Sequence, residues 1–285
     1  MKLVMTSFFL FLFLLPGLVT FAQESPSTEK KGNKGKMYFY WGWNRTRYTD
    51  SDIHFKGEDY DFTLKSASAH DRQTPIGADP YLHWDGITIP QTNTRLGYFF
   101  SDHYEVSIGV DHMKYVMDNG DVVDINGYIS GTDTGWDGVY KDDPILLTYS
   151  FLSFEHTDGL NYVNSAVARH DLLFKCLGEN GRGLNVYSVF GVGAGVLYPK
   201  TNARIMQKER NDEFHLAGYG FDLHGGLRFE LFENFFIQGN SKGGFINMPD
   251  ILTTPDDNDR ASQQFFFAQL NFVFGYQIMI NPKAE

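Results

Sequence analysis

The chain has 285 residues, with 24 Lys and Arg against 35 Asp and Glu, and a formal net charge of −11. This acidic balance argues against nucleic acid as a partner, and the single Cys176 excludes an internal disulfide framework. Past the amino terminus no stretch supplies the roughly 18 consecutive apolar residues of a membrane helix. Aromatic residues nevertheless make up 16% of the chain, with 26 Phe and 16 Tyr, a content that suits a β-wall facing lipid.

The chain opens with Met1-Lys2, runs through apolar Leu10 to Leu15, breaks at Pro16-Gly17 and reaches Thr20-Phe21-Ala22. A charged start, a short apolar region and small residues near position 22 predict a secretory signal peptide over 1–22, cleaved after Ala22. Cleavage removes Lys2 and no acid, so −11 becomes −12. Residues 23–35 form a Ser/Lys/Glu/Gly tract and are expected to be a disordered periplasmic lead-in.

From Met37 the sequence alternates with period 2, setting Met37, Phe39, Trp41 and Trp43 against Tyr38, Tyr40, Gly42 and Asn44. This is the pattern of a strand with two different faces. Arg45 to Gln91 reads as a long extracellular loop carrying His54, His70 and His83, in which Asp52–Phe55 and Tyr60–Leu64 could pair as a hairpin. A second strand over Thr92–Phe100 points Leu96, Tyr98 and Phe100 outward and Arg95 inward. A tight Ser101-Asp102-His103 turn leads to a third, with Tyr104, Val106, Ile108 and Val110 outward against Glu105, Ser107, Gly109 and Asp111. Beyond it, Lys114 and Tyr115 read as interfacial anchors, and Asp118–Pro144 as a second long loop.

The fourth strand is expected to cross near Tyr162–Phe174, with Ile145–His156 as an extension or an extra strand. After the glycine-rich 178–183 turn, Leu184–Tyr198 sets Val192, Ala194 and Val196 against Gly191, Gly193 and Gly195, leaving room for large charged neighbours. The clearest alternation is Ala217–Leu231. Tyr219, Phe221, Leu223, Leu227 and Phe229 share one face, while Asp222, His224, Arg228, Glu230 and glycines share the other. Apolar residues facing lipid and a small polar lumen produce that pattern. A seventh strand over Phe235–Phe245 places Lys242 inward, Met248–Ser262 reads as a solvated loop, and an eighth strand through Ile278 pairs back to the first.

Short turns alternating with long loops, on eight strands of this kind, resemble the small eight-stranded outer-membrane β-barrels of Gram-negative bacteria. The resemblance implies an all-β fold: a closed antiparallel transmembrane barrel over 36–281 in the cell outer membrane, with short periplasmic turns, long extracellular loops and a 282–285 tail. It also implies outer-membrane lipid, lipopolysaccharide and the barrel-assembly machinery as partners. The tail departs from these proteins, which commonly finish on an aromatic residue.

The inward charges, Arg95, Glu105, Asp111, Asp222, His224, Arg228, Glu230 and Lys242, are expected to pair as a lumen network, since an eight-strand interior is just filled by side chains. One segment is enzyme-like. Phe154-Glu155-His156-Thr157-Asp158 loosely resembles the His-x-Ser-Asn element of outer-membrane acyl hydrolases of the lipid A deacylase and phospholipase types, which implies His156, Glu155 and Ser165 as an alternative catalytic set. Asp158 stands where those enzymes place Ser, so the imidazole lacks a hydroxyl to activate. Asp124-Ile125-Asn126-Gly127 fails the calcium-loop pattern because Val122 replaces its first acid, and no metal or cofactor is implied. The expected role is non-enzymatic, in surface interaction or membrane integrity.

Overall fold

The computed structural model describes residues 32–75, 91–177, 183–232 and 234–280. The leader, most of the lead-in, His83, the 178–182 turn and the carboxyl-terminal tail lie outside them, and Asn33–Glu285 forms one compact unit. Every regular element among the described residues is a strand: β1 (Lys36–Tyr48), β2 (Ser51–Lys56), β3 (Tyr60–Ala67), β4 (Ala69–His70), β5 (Thr92–Phe99), β6 (Tyr104–Met117), β7 (Val122–Ile129), β8 (Gly138–Leu146), β9 (Leu152–Leu177), β10 (Gly183–Leu197), β11 (Asn202–Ile205), β12 (Gly218–Leu231), β13 (Phe235–Leu252) and β14 (Arg260–Met279).

Eight of them form a ring in the order β1-β5-β6-β9-β10-β12-β13-β14, all neighbours antiparallel, and β1 pairs back to β14 from Lys36↔Met279 to Tyr48↔Phe267. Partner register followed once around the ring, from Phe266 through Phe245, Phe221, Ala194, Ser165, Ile108, Leu96 and Phe39, returns to Tyr276, ten residues along β14. Such a stagger tilts the strands and sets an interior that side chains fill.

The six remaining strands all lie on the long-loop side. β14 runs to Arg260, well past its last β1 partner, and an exposed strand edge needs a partner for its amides and carbonyls. β2 supplies it through Arg260↔Lys56 to Gln263↔Ile53, and β3, β7 and β8 continue the sheet in turn. On the opposite wall β11 pairs with β9 and β4 with β6. These additions enclose an apolar core built from Ile53, Phe55, Phe62, Tyr115, Phe151, Phe154, Met248 and Phe265, among others. At the other mouth a small aromatic cluster, Tyr38, Tyr40, Phe99 and Phe236 with Val273, closes the ring.

Several expectations are corrected. Asp118–Pro144 is largely the β7–β8 hairpin, and Met248–Ser262 is mostly strand: β13 continues to Leu252, and Met248, Ile251 and Ala261 are core residues. Tyr115 is no interfacial anchor. It points inward, accepts a 2.5 Å bond from Gln263 Nε2 and stacks on Phe265. Ile145 belongs to β8, and the fourth wall strand is the 26-residue β9. The last three lead-in residues are docked on the β5–β6 turn, where Asn33 Nδ2 donates to Asp102 O at 3.2 Å and Gly35 N to Phe99 O at 2.9 Å.

Candidate functional site

The interior of the ring is polar between its two apolar ends because inward positions on every wall strand carry amides, hydroxyls or charges. Around Arg95, the guanidinium donates from Nε to Tyr40 Oη at 3.0 Å, from Nη1 to Ser107 Oγ at 3.0 Å and from Nη2 to Asn164 Oδ1 at 2.5 Å. Asn164 Nδ2 donates to Asp111 Oδ2 at 3.3 Å, and Asp111 is ion-paired with Lys242. Lys242 Nζ lies 3.8 Å from Asp222 Oδ1, which pairs with His224 Nδ1 at 2.9 Å while Tyr162 donates to Asp222 Oδ2 at 3.1 Å. The glycines of β10 make this possible: Gly193 and Gly191 stand opposite Asp222 and His224, whose side chains occupy the space a Cβ would take.

Toward the short-turn mouth, Tyr38 donates to Glu105 Oε1 at 2.7 Å and His170 Nε2 lies 3.3 Å from Glu105 Oε2. Arg228 is fully buried with its guanidinium 3.5 Å from the Phe236 ring centre, donates to Gln277 at 2.5 Å and places Nε 3.4 Å from Glu230. Lys36 reaches Glu230 at 3.9 Å. Each layer thus holds two permanent cations and two carboxylates, Arg95 and Lys242 with Asp111 and Asp222, then Arg228 and Lys36 with Glu105 and Glu230. Buried charges persist only when paired in this way. All eight residues named from the sequence line the interior, five in the first layer and three in the second. Sequence reasoning missed Tyr40, Asn164, Tyr162, His170 and Gln277; an assignment of faces within the expected 162–174 crossing, whose even positions point inward, would have found three of them.

The enzyme-like set is not assembled. His156 is fully buried in the apolar core, with Phe154 at 4.9 Å and Tyr115 at 5.6 Å between ring centres, and its one hydrogen bond is Nδ1 with Thr201 Oγ1 at 3.0 Å. Glu155 points to the opposite face, where it meets Arg72 at 2.7 Å and Asn202 at 3.0 Å. Ser165 is outward on the wall, in register with Ile108 and Ala194. The one hydroxyl in reach of His156, that of Thr201, is itself buried beside it, away from the lipid-facing wall on which Ser165 stands, and neither Glu155 nor Ser165 joins the pair.

Outside the polar layers the wall carries exposed Phe39, Leu96, Ile108, Val192, Phe221, Leu223, Phe272 and Tyr276, each between 46% and 66% exposed. An apolar belt on a ring with no open edge is stable in lipid and costly in water. The fold is an outer-membrane β-barrel. No protein-family model matches the chain, and no curated protein matches it. Among solved structures, it is similar to the outer membrane protein OprG from Pseudomonas aeruginosa (11% identity, 87% of this chain and 97% of that one, TM-score 0.40). It is also similar to the outer membrane protein AlkL in lipid bilayers (11% identity, 93% and 100%, TM-score 0.40) and to Ail of Yersinia pestis (9% identity, 86% and 99%, TM-score 0.30). These chains share about one residue in ten with it, and the barrel assignment rests on this chain's own strand pairing and belt. The outer membrane is where such a barrel resides.

Proposed function

We propose that this barrel is a non-conducting, non-enzymatic anchor that holds a folded β-structure at the outer surface of the membrane, for surface interaction or membrane integrity. The supporting observation is the occupancy of the interior at three levels: the aromatic mouth around Arg228, the two charge-balanced polar layers, and the apolar core above them. A permeation path needs continuous water and a field for its ion, whereas these layers are paired, neutral in sum and capped by side chains at both ends. The long-loop strands are built around their own core, which favours a rigid presented surface over flexible loops. Outer-membrane lipid and lipopolysaccharide are its surroundings and partners in this reading, and barrel-assembly machinery inserts it.

Reconstitution into planar bilayers tests this: the protein should give no single-channel steps, and an epitope inserted at Gly135 between β7 and β8 should bind antibody on intact cells. Regular conductance steps from the native protein, or an epitope detected only after the cells are broken, would overturn it.

A further inference from the structure

On the outer face, β1 and β6 change character at the same edge. After Trp43, the next outward residues of β1 are Arg45 and Arg47; after Val110, those of β6 are His112 and Lys114. Above the start of β5 the gap between these strands is filled by residues 71–74. Thr46 N donates to Asp71 Oδ2 at 2.9 Å and Arg45 Nη2 to Thr74 O at 2.8 Å, while Ala69 and His70 pair with Met117 and Val116. Arg72 therefore stands between the basic residues of β1 and Lys114, and reaches Glu155 on the far side at 2.7 Å. The Asp71 carboxyl lies beneath the row, pushed up to about 6 by burial against the pull of Arg45 and Lys114.

Among the described residues four cations thus stand beside three carboxylates, Asp71, Glu155 and Asp158, on a chain whose net charge is −11. Two outward steps of strand span about 13 Å, tilted to a lower height, so the row begins at the edge of the apolar belt and rises through the headgroup layer, which adds roughly 5–8 Å to each side of the hydrocarbon core. At another point of the rim Lys200 and Arg210 lie 3.1 and 3.6 Å from Asp212.

We infer that Arg45, Arg47, Arg72 and Lys114 form a docking surface for the phosphate groups of lipids in the surrounding outer leaflet. Arginine presents a planar fork that matches phosphate oxygens two at a time, and lysine adds a point charge. Trp43 and Val110 immediately below offer apolar surface to the acyl chains of the same lipid, which a free anion would not use. This inference rests on the outer-membrane orientation proposed above and adds the partner's chemistry.

The test is retention of bisphosphorylated lipid A by the full-length protein in detergent, read by native mass spectrometry, with dephosphorylated lipid A and inorganic phosphate as the other arms. The native protein should retain the bisphosphorylated form and lose it by about fivefold for each charge removed, so that R45Q/R47Q/R72Q/K114Q binds at the level of the dephosphorylated lipid. Lys200→Gln should change nothing. Equal retention by the fourfold variant overturns the proposal, as does equal retention of dephosphorylated lipid; competition by millimolar inorganic phosphate would overturn the lipid as the source. If the fourfold variant does not form the heat-modifiable barrel, Arg47→Gln alone, at an exposed position, decides the same question with about a fivefold loss. Channel steps from the native protein would sink the anchor reading while leaving this result standing.

Discussion

Strand β6 contains two proteins' worth of chemistry end to end. In its first half the inward residues are Glu105, Ser107, Gly109 and Asp111 and the outward ones Tyr104, Val106, Ile108 and Val110; in its second half Met113, Tyr115 and Met117 point inward, and His112 and Lys114 outward. The β14 strand makes the same exchange between Gln269 and Phe267 on its inner face. Backbone pairing continues through the change with only a local register shift at Met113/Tyr115. The difference lies in the solvent outside. Where the wall meets lipid, its outer face must be apolar and the interior is free to hold a paired polar network; where it meets water, only apolar burial inside can hold the strands together.

Emptying the upper core should have the largest effect. Phe154 is almost fully buried, against Phe55 at 5.4 Å and His156 at 4.9 Å between ring centres. Phe154→Ala should cost about 3–5 kcal/mol and loosen β2, β3 and β11, read as faster amide exchange there, while the ring keeps its heat-modifiable mobility on gels. If exchange rises equally in the lower wall, the two halves are one cooperative unit and the comparison fails.

The lower half is tested from its outer face. Leu223 is 66% exposed on the belt, between Val192 and Gly243 on the neighbouring strands. Leu223→Arg should cost about 2–4 kcal/mol in bilayers if it sits near midplane, measured by urea unfolding from vesicles. An unchanged midpoint would mean that this face meets water.

The junction between the halves should respond to pH. Asp71 is held up to about 6 by burial, above an unfolded value of about 3.9. A raised carboxyl means that the folded state binds the proton more tightly, so stability is greatest below about pH 4 and is lost as pH rises through about 6. The difference is on the order of 2 kcal/mol, since a tenfold difference in proton affinity is worth about 1.4 kcal/mol and water at the rim screens part of it. Asp71→Asn can still accept the Thr46 amide bond, and should flatten this part of the stability profile between pH 4 and 7. A slope unchanged in the variant would assign the effect to another group.

Period 2 made the ring legible, because in β6, β12 and β14 the lipid-facing half alternates almost throughout, inward Val273 being the exception on β14. What alternation does not carry is the sign of a face. Assigning apolar residues outward is right for Val106 and wrong for Tyr115, and the only local mark of the exchange is a run apolar on both faces, as in Phe265-Phe266-Phe267. The β7–β8 hairpin was hidden for a related reason: on its inner face Ile125 and Ile129 are buried, but its outer face and most of β8 are polar or exposed, so composition resembles a loop. Lumen charges on β12 were visible because they share one face. Asn164 and His170, which serve Arg95, Asp111 and Glu105, were not, because on β9 polar residues fall on both faces, Ser165 and Arg169 outward beside Asn164 and His170 inward, so alternation alone does not assign its faces.

The smallest expected effect compares two glycines on the wall that differ in the face they present. At Gly239 a Cβ would enter open space on the outer face, while at Gly193 it would meet the carboxylate of Asp222 inside. Neither has the left-handed backbone conformation that would make alanine strained by itself. Gly239→Ala should therefore be neutral or stabilise by under about 1 kcal/mol, through the reduced freedom of the unfolded chain. Gly193→Ala must push Asp222 off the positions from which it receives Tyr162 and His224, and a buried carboxylate that loses a partner costs more than a methyl group gains. Unfolding midpoints measured for both in the same vesicles should fall on opposite sides of the native value. If both rise, the inner face has slack that its hydrogen-bond distances do not show, and the lumen is less tightly packed than the wall requires.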